Sequence, residues 1–175
     1  MRIFTKLKKR GGFSLTELLI SVLILALVSA VVATGVPAAV GAFKKVVEKA
    51  NAQLLLTTAT HALRNELDMA SDVEVSPDGL TISFISNKNY EREITSGSEG
   101  IQVRYTNGGS YANLVSEEAA SGLIVQFTGA VYNKDDSTIT IKGLNVTNNE
   151  GTVLASIGKS EDEEKKKEYT IDVFR

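Results

Sequence analysis

The chain of 175 residues contains no cysteine, no tryptophan, a single histidine and only two prolines. Without cysteine it forms neither a disulfide framework nor a thiolate metal site or nucleophile, so its fold holds without covalent cross-links. One histidine cannot build a zinc site when cysteine is absent. The sequence also lacks a glycine-rich phosphate loop and a Gly-x-Ser-x-Gly nucleophile elbow. These absences predict a protein that is not an enzyme and that needs no cofactor.

Charge is missing from one long stretch of the chain. No charged side chain lies between Glu17 and Lys44, which leaves 26 consecutive uncharged residues. As a helix at about 1.5 Å per residue this run reaches about 39 Å, which exceeds the roughly 30 Å hydrocarbon core of a bilayer. A charged group at the bilayer centre costs on the order of 2.5 kcal/mol or more, so the absence of charge is what a spanning helix requires. The run predicts one transmembrane helix.

The charges before this helix are all positive. Five of them precede residue 13, and subtracting them from the net charge of −2 leaves −7 on the rest of the chain. The difference in positive charge between the two flanks of the apolar run is reduced by Lys44, Lys45 and Lys49, which follow it. The positive-inside rule still places the N-terminus in the cytoplasm and the bulk of the chain outside. The five residues are Arg2, Lys6, Lys8, Lys9 and Arg10.

A secretory signal peptide is an alternative interpretation of the same features. Val28-Ser29-Ala30 has the small residues of a cleavage site, but secretory apolar regions run about 7–15 residues and this one continues well past Ala30. A secreted enzyme released after Ala30 would need a catalytic constellation, which the sequence does not contain.

Glu17 stands at the start of the apolar segment, where a carboxylate is expensive unless it is paired or reaches water. An acid at this depth suggests a positively charged partner. A free chain terminus could supply that charge.

The run Lys9-Arg10-Gly11-Gly12-Phe13-Ser14-Leu15-Thr16-Glu17-Leu18-Leu19-Ile20 resembles the class III signal of type IV pilins and pseudopilins. That signal is a short basic leader ending in Gly, then Phe, then Glu as the fifth residue of the processed chain. The resemblance implies that a prepilin peptidase cuts after Gly12 and methylates the new terminal amine of Phe13. The specific part of the resemblance covers about 30 residues. Beyond Phe43 only the overall architecture is similar.

Cleavage would place an ammonium group on Phe13, about one helical turn from Glu17 and on the same face. In a packed bundle Glu17 could instead pair with the Phe13 terminus of an adjacent subunit. An unpaired buried charge is costly and a paired one much less so, which makes Glu17 a device for setting subunit register. The alternative is that Glu17 only caps the helix through the macrodipole, and the two roles are compatible.

The sequence departs from the family pattern at one place. Many members carry a helix-kinking proline where this chain has Thr34, although Gly35, Pro37 and Gly41 still supply helix breakers nearby. We expect bending or local melting between Gly35 and Gly41.

Composition favours continuation of the helix over residues 44–70, where Pro and Gly are absent. Its apolar stripe changes side near Leu54, which suggests that its upper part packs on other subunits and its lower part on its own globular domain. His61 lies opposite the lower stripe and is expected to face solvent. The upper stripe comprises Phe43, Val47, Ala50 and Leu54, and the lower one comprises Leu56, Ala59, Leu63, Leu67 and Ala70.

After Ala70 the apolar period changes to two, which predicts short antiparallel strands separated by Gly-, Pro- and Asn-rich turns. The polar run 159–168 is expected to be a solvated loop between the last two strands. The predicted strands centre on 80–84, 101–105, 123–127, 138–142, 144–147, 153–157 and 169–174.

The predicted fold is therefore α+β: a long N-terminal helix, transmembrane in its first half, packed by its second half on a C-terminal antiparallel β-sheet domain. The expected segments are a removed cytoplasmic leader (1–12), a transmembrane and polymerisation helix (13–43), the extramembrane half of the helix (44–70) and the β domain (71–175).

The predicted function is that of a structural subunit, a minor pilin or pseudopilin, in a type IV pilus-like filament. The expected partners are prepilin peptidase, other pilin subunits, an inner-membrane assembly platform and, before assembly, membrane lipid. The subunit would cross the cytoplasmic membrane once and then join a cell-surface or periplasmic filament, such as one of type II secretion or competence.

Two alternatives concern the role of the chain and a bound ion. A membrane-tethered binding module or adhesin that acts without polymerising would not need Glu17. Asp135-Asp136 could help to bind calcium, although adjacent acids in a polar turn are usually only solvated. Direct nucleic-acid binding is not predicted, because the processed chain is acidic and has no basic stripe interleaved with aromatics.

Overall fold

The computed structural model describes residues 12–68, 70–86, 88–105, 109–116, 120, 122–157 and 168–172. Residues 1–11 of the predicted leader and most of the polar run 159–168 therefore lie outside the described residues. The chain divides into two compact units, Met1–Lys45 and Val46–Arg175.

The described elements are one long helix followed by eleven strands, all paired antiparallel. This confirms the predicted α+β architecture. The helix is α1 (Leu15–Leu67), and the strands are β1 (Ser71–Val75), β2 (Thr81–Ile85), β3 (Glu91–Gly97), β4 (Gly100–Tyr105), β5 (Ala112–Asn113), β6 (Ile124–Gln126), β7 (Gly129–Asn133), β8 (Thr138–Lys142), β9 (Asn145–Thr147), β10 (Val153–Ser156) and β11 (Glu168–Asp172).

Helix α1 runs without interruption through Gly35, Pro37 and Gly41. The local melting expected there is therefore absent from this structure. Pro37 removes one backbone donor, which leaves the carbonyl of Ala33 without its usual i+4 partner, but the flanking turns keep their own bonds and the helix continues.

The core of the unit Val46–Arg175 forms where one face of α1 packs on the sheets. The predicted lower stripe is largely confirmed, since Ala59, Leu63, Leu67 and Ala70 are fully buried; Leu56 is only half-buried. The structure extends the stripe by one turn through Leu55 and Ala52 at spacings of three and four residues, as one helical face requires. His61 is exposed, as expected.

The described strands form three separate sheets. The largest has the order β1-β2-β3-β4-β5, a meander in which each strand pairs with its neighbour in sequence. The other two have the orders β10-β9-β6 and β11-β8-β7. Alternation places Ile82, Phe84 and Ile94 of the first sheet and Ile139 and Ile141 of the last in the core.

Every strand predicted from the sequence is present, but β1, β3, β5 and β7 were not predicted. Strand β3 begins Glu-Arg-Glu, a polar sequence without a strand signal, and its arginine Arg92 forms an ion pair with Glu66 of α1. In β7 the small Ala130 faces the core while the larger Val131 is 50% exposed, so the apolar pattern is inverted. These strands are stabilised by partners elsewhere in the fold, which a local period does not reveal.

Candidate functional site

The apolar helix begins with a capped first turn. The backbone N–H of Glu17 donates a hydrogen bond to the Ser14 hydroxyl at 3.2 Å, and the N–H of Leu18 donates to the Ser14 carbonyl at 3.1 Å. Ser14 is thus the N-cap residue and Glu17 the third residue of the helix, the spacing of a capping box. The cap fixes the start of the helix two residues after Phe13.

Glu17 lies in the first turn of α1, where the positive end of the helix dipole favours a carboxylate. Its side chain is exposed, and within the described part of the chain no hydrogen bond or ion pair engages its carboxylate. The geometry therefore agrees with a dipole role and leaves both carboxylate oxygens accessible to a partner.

Gly12 and Phe13 precede the helix and are exposed, Phe13 by 76%. A Cβ added at Gly12 would meet nothing within 4 Å among the described residues, and its backbone is outside the left-handed region. The described fold gives no steric reason for glycine at this position. A requirement for Gly12 would therefore come from a partner of the chain.

The whole surface of the helix is exposed from Leu15 to Val47, and it is mainly apolar as far as Phe43. Three of the four side-chain hydroxyls in this part donate to the backbone of their own helix: Ser21 Oγ to the Glu17 carbonyl at 2.7 Å, Ser29 Oγ to the Leu25 carbonyl at 2.8 Å and Thr34 Oγ1 to the Ala30 carbonyl at 3.1 Å. The fourth hydroxyl, that of Thr16, bonds to the Ser14 hydroxyl at 2.8 Å. Their polar groups thus need no water, and the helix has the length and composition to cross a membrane.

Gly35 and Gly41 lie inside this helix without a reason in the described fold. Neither has a neighbour within 4 Å of an added Cβ, and neither adopts a positive φ. Each costs about 1 kcal/mol of helix stability relative to alanine. Small residues of this kind allow close approach of a second helix within a membrane.

The other candidate residues do not form a site. No group of three or more His, Cys, Asp and Glu side chains is close enough to hold a metal ion within the described ranges. Asp135 and Asp136 belong to the turn between β7 and β8: the Asp135 N–H donates to Asn133 Oδ1 at 3.1 Å, and Asn133 Nδ2 donates to Asp136 Oδ2 at 2.7 Å.

An open cleft of about 630 Å³ lies within the unit Val46–Arg175. Its described lining includes the apolar side chains of Leu55 and Ile101 and the polar side chains of Ser98, Glu99, Asn113 and Asn149. Glu99 is the one titratable side chain among the described lining residues.

The main charged cluster on the five-stranded sheet joins Glu93, Arg104 and Tyr111. Arg104 Nη2 donates to Glu93 Oε2 at 2.5 Å, the Tyr111 hydroxyl donates to Glu93 Oε1 at 2.7 Å, and the guanidinium lies 4.5 Å from the Tyr111 ring centre. Burial acts to raise the pKa of Glu93, but the two hydrogen bonds and the charge of Arg104 outweigh it and hold that pKa below its usual value. The same hydrogen bond to Glu93 raises the pKa of Tyr111. The cluster connects β3, β4 and the residue that directly precedes β5.

The structure thus places Gly12, Phe13 and Glu17 within one short segment, with Ser14 as the residue that organises it. The role of Ser14 was not predicted. Its signal was present in the sequence as Ser14-Leu15-Thr16-Glu17, a serine followed three residues later by glutamate before an apolar run.

Residues 7–33 match the family described as the prokaryotic N-terminal methylation motif, which is the type IV prepilin signal. The matched range contains Gly12, Phe13 and Glu17 and ends just before Thr34. No curated protein and no solved structure matches the chain.

Proposed function

We propose that this chain, a type IV pilin-like protein by the signal at residues 7–33, is a structural subunit of a type IV pilus-like filament, as a minor pilin or pseudopilin. The observation that carries the proposal is a signal-bearing helix whose apolar surface is exposed throughout residues 15–43 and whose first turn holds an accessible carboxylate. A surface of this kind is stable only in lipid or against other helices.

The first step in this proposal is processing by a prepilin peptidase after Gly12. The segment fits such a substrate because Gly12 and Phe13 lie outside the helix and are exposed. An extended backbone without a side chain enters a protease cleft more easily than a helical one. Methylation would then act on the new amine of Phe13.

The second step is assembly through the helix. In the proposed filament, the Glu17 carboxylate pairs with the terminal amine of Phe13 on a neighbouring subunit. Desolvation makes an unpaired Glu17 unfavourable between apolar helices, so the pair selects the register in which each subunit joins. Gly35 and Gly41 would let neighbouring helices approach closely in the same bundle.

The proposed organisation assigns 1–12 to a cytoplasmic leader that is removed, 13–43 to the transmembrane and polymerisation helix, 44–70 to the extramembrane half of the helix, and 71–175 to the β domain outside the membrane. Orientation follows from the basic leader. An assembly platform in the cytoplasmic membrane would then move the subunit from lipid into the filament, at the cell surface or in the periplasm.

Intact-mass spectrometry of the protein from its own host tests the processing step. The expected mass is that of a chain beginning at Phe13 with one methyl group on its terminal amine. A chain that still begins at Met1 in cells that hold the peptidase, or one that begins after Ala30, would contradict the proposal.

Glu17→Ala tests the pairing step. We expect the variant to be processed and its β domain to fold, while its incorporation into filaments falls sharply. Glu17→Gln, which keeps the shape and removes the charge, should behave similarly, whereas Glu150→Ala removes an exposed acid far along the chain and should assemble normally. Normal incorporation of Glu17→Ala would mean that the carboxylate only caps the helix.

A further inference from the structure

Three lysines follow the apolar run directly, and all are exposed. Lys44, Lys45 and Lys49, called here the basic cluster, lie on two adjoining turns of α1, with Phe43 before them at 68% exposure. None of the three ammonium groups forms an ion pair within the described part of the chain. With Glu48, which lies between Lys45 and Lys49, the segment carries a net charge of +2 on a chain whose processed form would otherwise be acidic.

The length of the uncharged run places this cluster at the level of lipid headgroups. Its 26 residues span about 39 Å. At an ordinary tilt of about 20° the run still projects about 37 Å onto the membrane normal. This length exceeds the hydrocarbon core of roughly 30 Å and approaches the full bilayer thickness of about 40–45 Å. With Glu17 near one interface, the ammonium groups lie among the phosphates of the other leaflet. The aliphatic stems of lysine allow small adjustments of depth.

Three lysines are unexpected on the outward-facing flank of the membrane helix, because the positive-inside rule leaves such flanks poor in lysine. A phosphate-bearing surface supplies the missing opposite charge. Near an anionic membrane each lysine strengthens binding roughly 5-fold.

We propose that the basic cluster binds the phosphates of anionic phospholipids in the outer leaflet of the cytoplasmic membrane. This contact holds the unassembled subunit at a fixed depth. The inference rests on the membrane orientation proposed above. It adds a lipid class and three binding residues to that proposal.

The test uses the full chain reconstituted in phosphatidylcholine nanodiscs that contain a minority of phosphatidylglycerol. Lipid that copurifies with the protein after mild detergent extraction is quantified by mass spectrometry. We expect phosphatidylglycerol to be enriched over phosphatidylcholine around the wild-type chain, and the combined variant Lys44→Gln, Lys45→Gln, Lys49→Gln to lose at least 5-fold of that enrichment.

A matched control removes the same number of charges elsewhere. The combined variant Arg64→Gln, Lys88→Gln, Lys134→Gln neutralises three exposed cations of the unit Val46–Arg175 and should keep the wild-type enrichment. The leader charges are the same in all three proteins, so they contribute equally to each measurement.

The outcomes separate the two proposals. Equal enrichment in the cluster variant and the wild type would overturn the lipid contact while leaving the membrane anchor intact. The lipid contact would also be overturned if the cluster variant differed from the wild type only in subunit association in pure phosphatidylcholine discs. The lysines would then pair with another copy of the chain. A chain that enters neither type of disc would contradict the membrane anchor itself.

Discussion

Ser96 is a buried serine of β3 that satisfies both backbone groups of one distant residue. Its hydroxyl donates to the Phe127 carbonyl and accepts from the Phe127 N–H, each at 2.9 Å. Both residues are buried, so this pair of bonds connects β3 to the segment between β6 and β7 where no water competes.

We expect Ser96→Ala to lower the free energy of unfolding by about 1–3 kcal/mol, because it leaves a buried N–H and a buried carbonyl without partners. Urea unfolding of the variant measures the change. Ser98→Ala is the control, since Ser98 is exposed and should change stability little. A loss no larger in Ser96→Ala than in the control would mean that Phe127 finds other partners.

Glu93 makes the stability of the sheet dependent on pH. Because its pKa is lower in the folded chain than its usual value of 4.5, the folded state binds fewer protons there than the unfolded state. Its contribution is therefore complete above about pH 5 and is lost as the pH falls through the folded pKa.

We expect Glu93→Gln to be less stable than the wild type near neutral pH and the difference to shrink below pH 4.5. Thermal unfolding between pH 3 and 7 measures it. Tyr111→Phe removes one of the two hydrogen bonds to Glu93 and so brings the folded pKa of Glu93 closer to 4.5. The acid loss of stability should therefore be smaller in that variant and should end at a higher pH. A difference between wild type and Glu93→Gln that does not vary with pH would contradict this account.

At the scale of elements, short connections fix the sheets through particular backbone conformations. Gly143 lies between β8 and β9 with φ of +62°, and a Cβ at this position would collide with the side chain of Thr128. Both the left-handed conformation and the close approach require glycine here.

Gly143→Ala should therefore destabilise the fold by about 1–3 kcal/mol. Gly129→Ala is the matched control, since Gly129 has an ordinary φ and nothing within 4 Å of an added Cβ. Chemical unfolding of both variants makes the comparison. Equal stability of the two would show that the connection after β8 can adopt another conformation.

The two parts of α1 illustrate how one element can serve two environments. From Leu15 to Val47 every side chain is exposed, and from Ala52 onward one face is buried against the sheets. The helix has no break between them, because helical hydrogen bonding depends on the backbone and is indifferent to what surrounds the side chains.

For the whole molecule, the described core lies entirely within the unit Val46–Arg175, beginning at Ala52. A chain that begins at Val46 should therefore be soluble and should unfold cooperatively on heating. Circular dichroism and calorimetry measure this. Aggregation of that fragment would show that the apolar helix contributes to the stability of the domain.

The helical part of that unit is expected to be indispensable. Leu63→Ala removes a fully buried side chain of α1 and should cost about 2–5 kcal/mol in the same fragment. Leu54→Ala is the control, because Leu54 is 68% exposed and should change stability by less than about 0.5 kcal/mol. Similar losses in the two variants would contradict the observed face of packing.

The sequence by itself determined the helix, its long apolar part, the signal at residues 7–33 and the strands with regular alternation. Each of these depends on residues that are adjacent or one helical turn apart, so a short window contains the whole physical cause. The division into three sheets and the strands β1, β3, β5 and β7 were decided only by the tertiary structure. Arg92 of β3 forms an ion pair with Glu66, 26 residues away in the chain, and Ser96 forms a hydrogen bond with Phe127, 31 residues away. Polar residues such as these favour a strand only once folding has brought their partners next to them. The apolar pattern of a short sequence window therefore does not predict these strands.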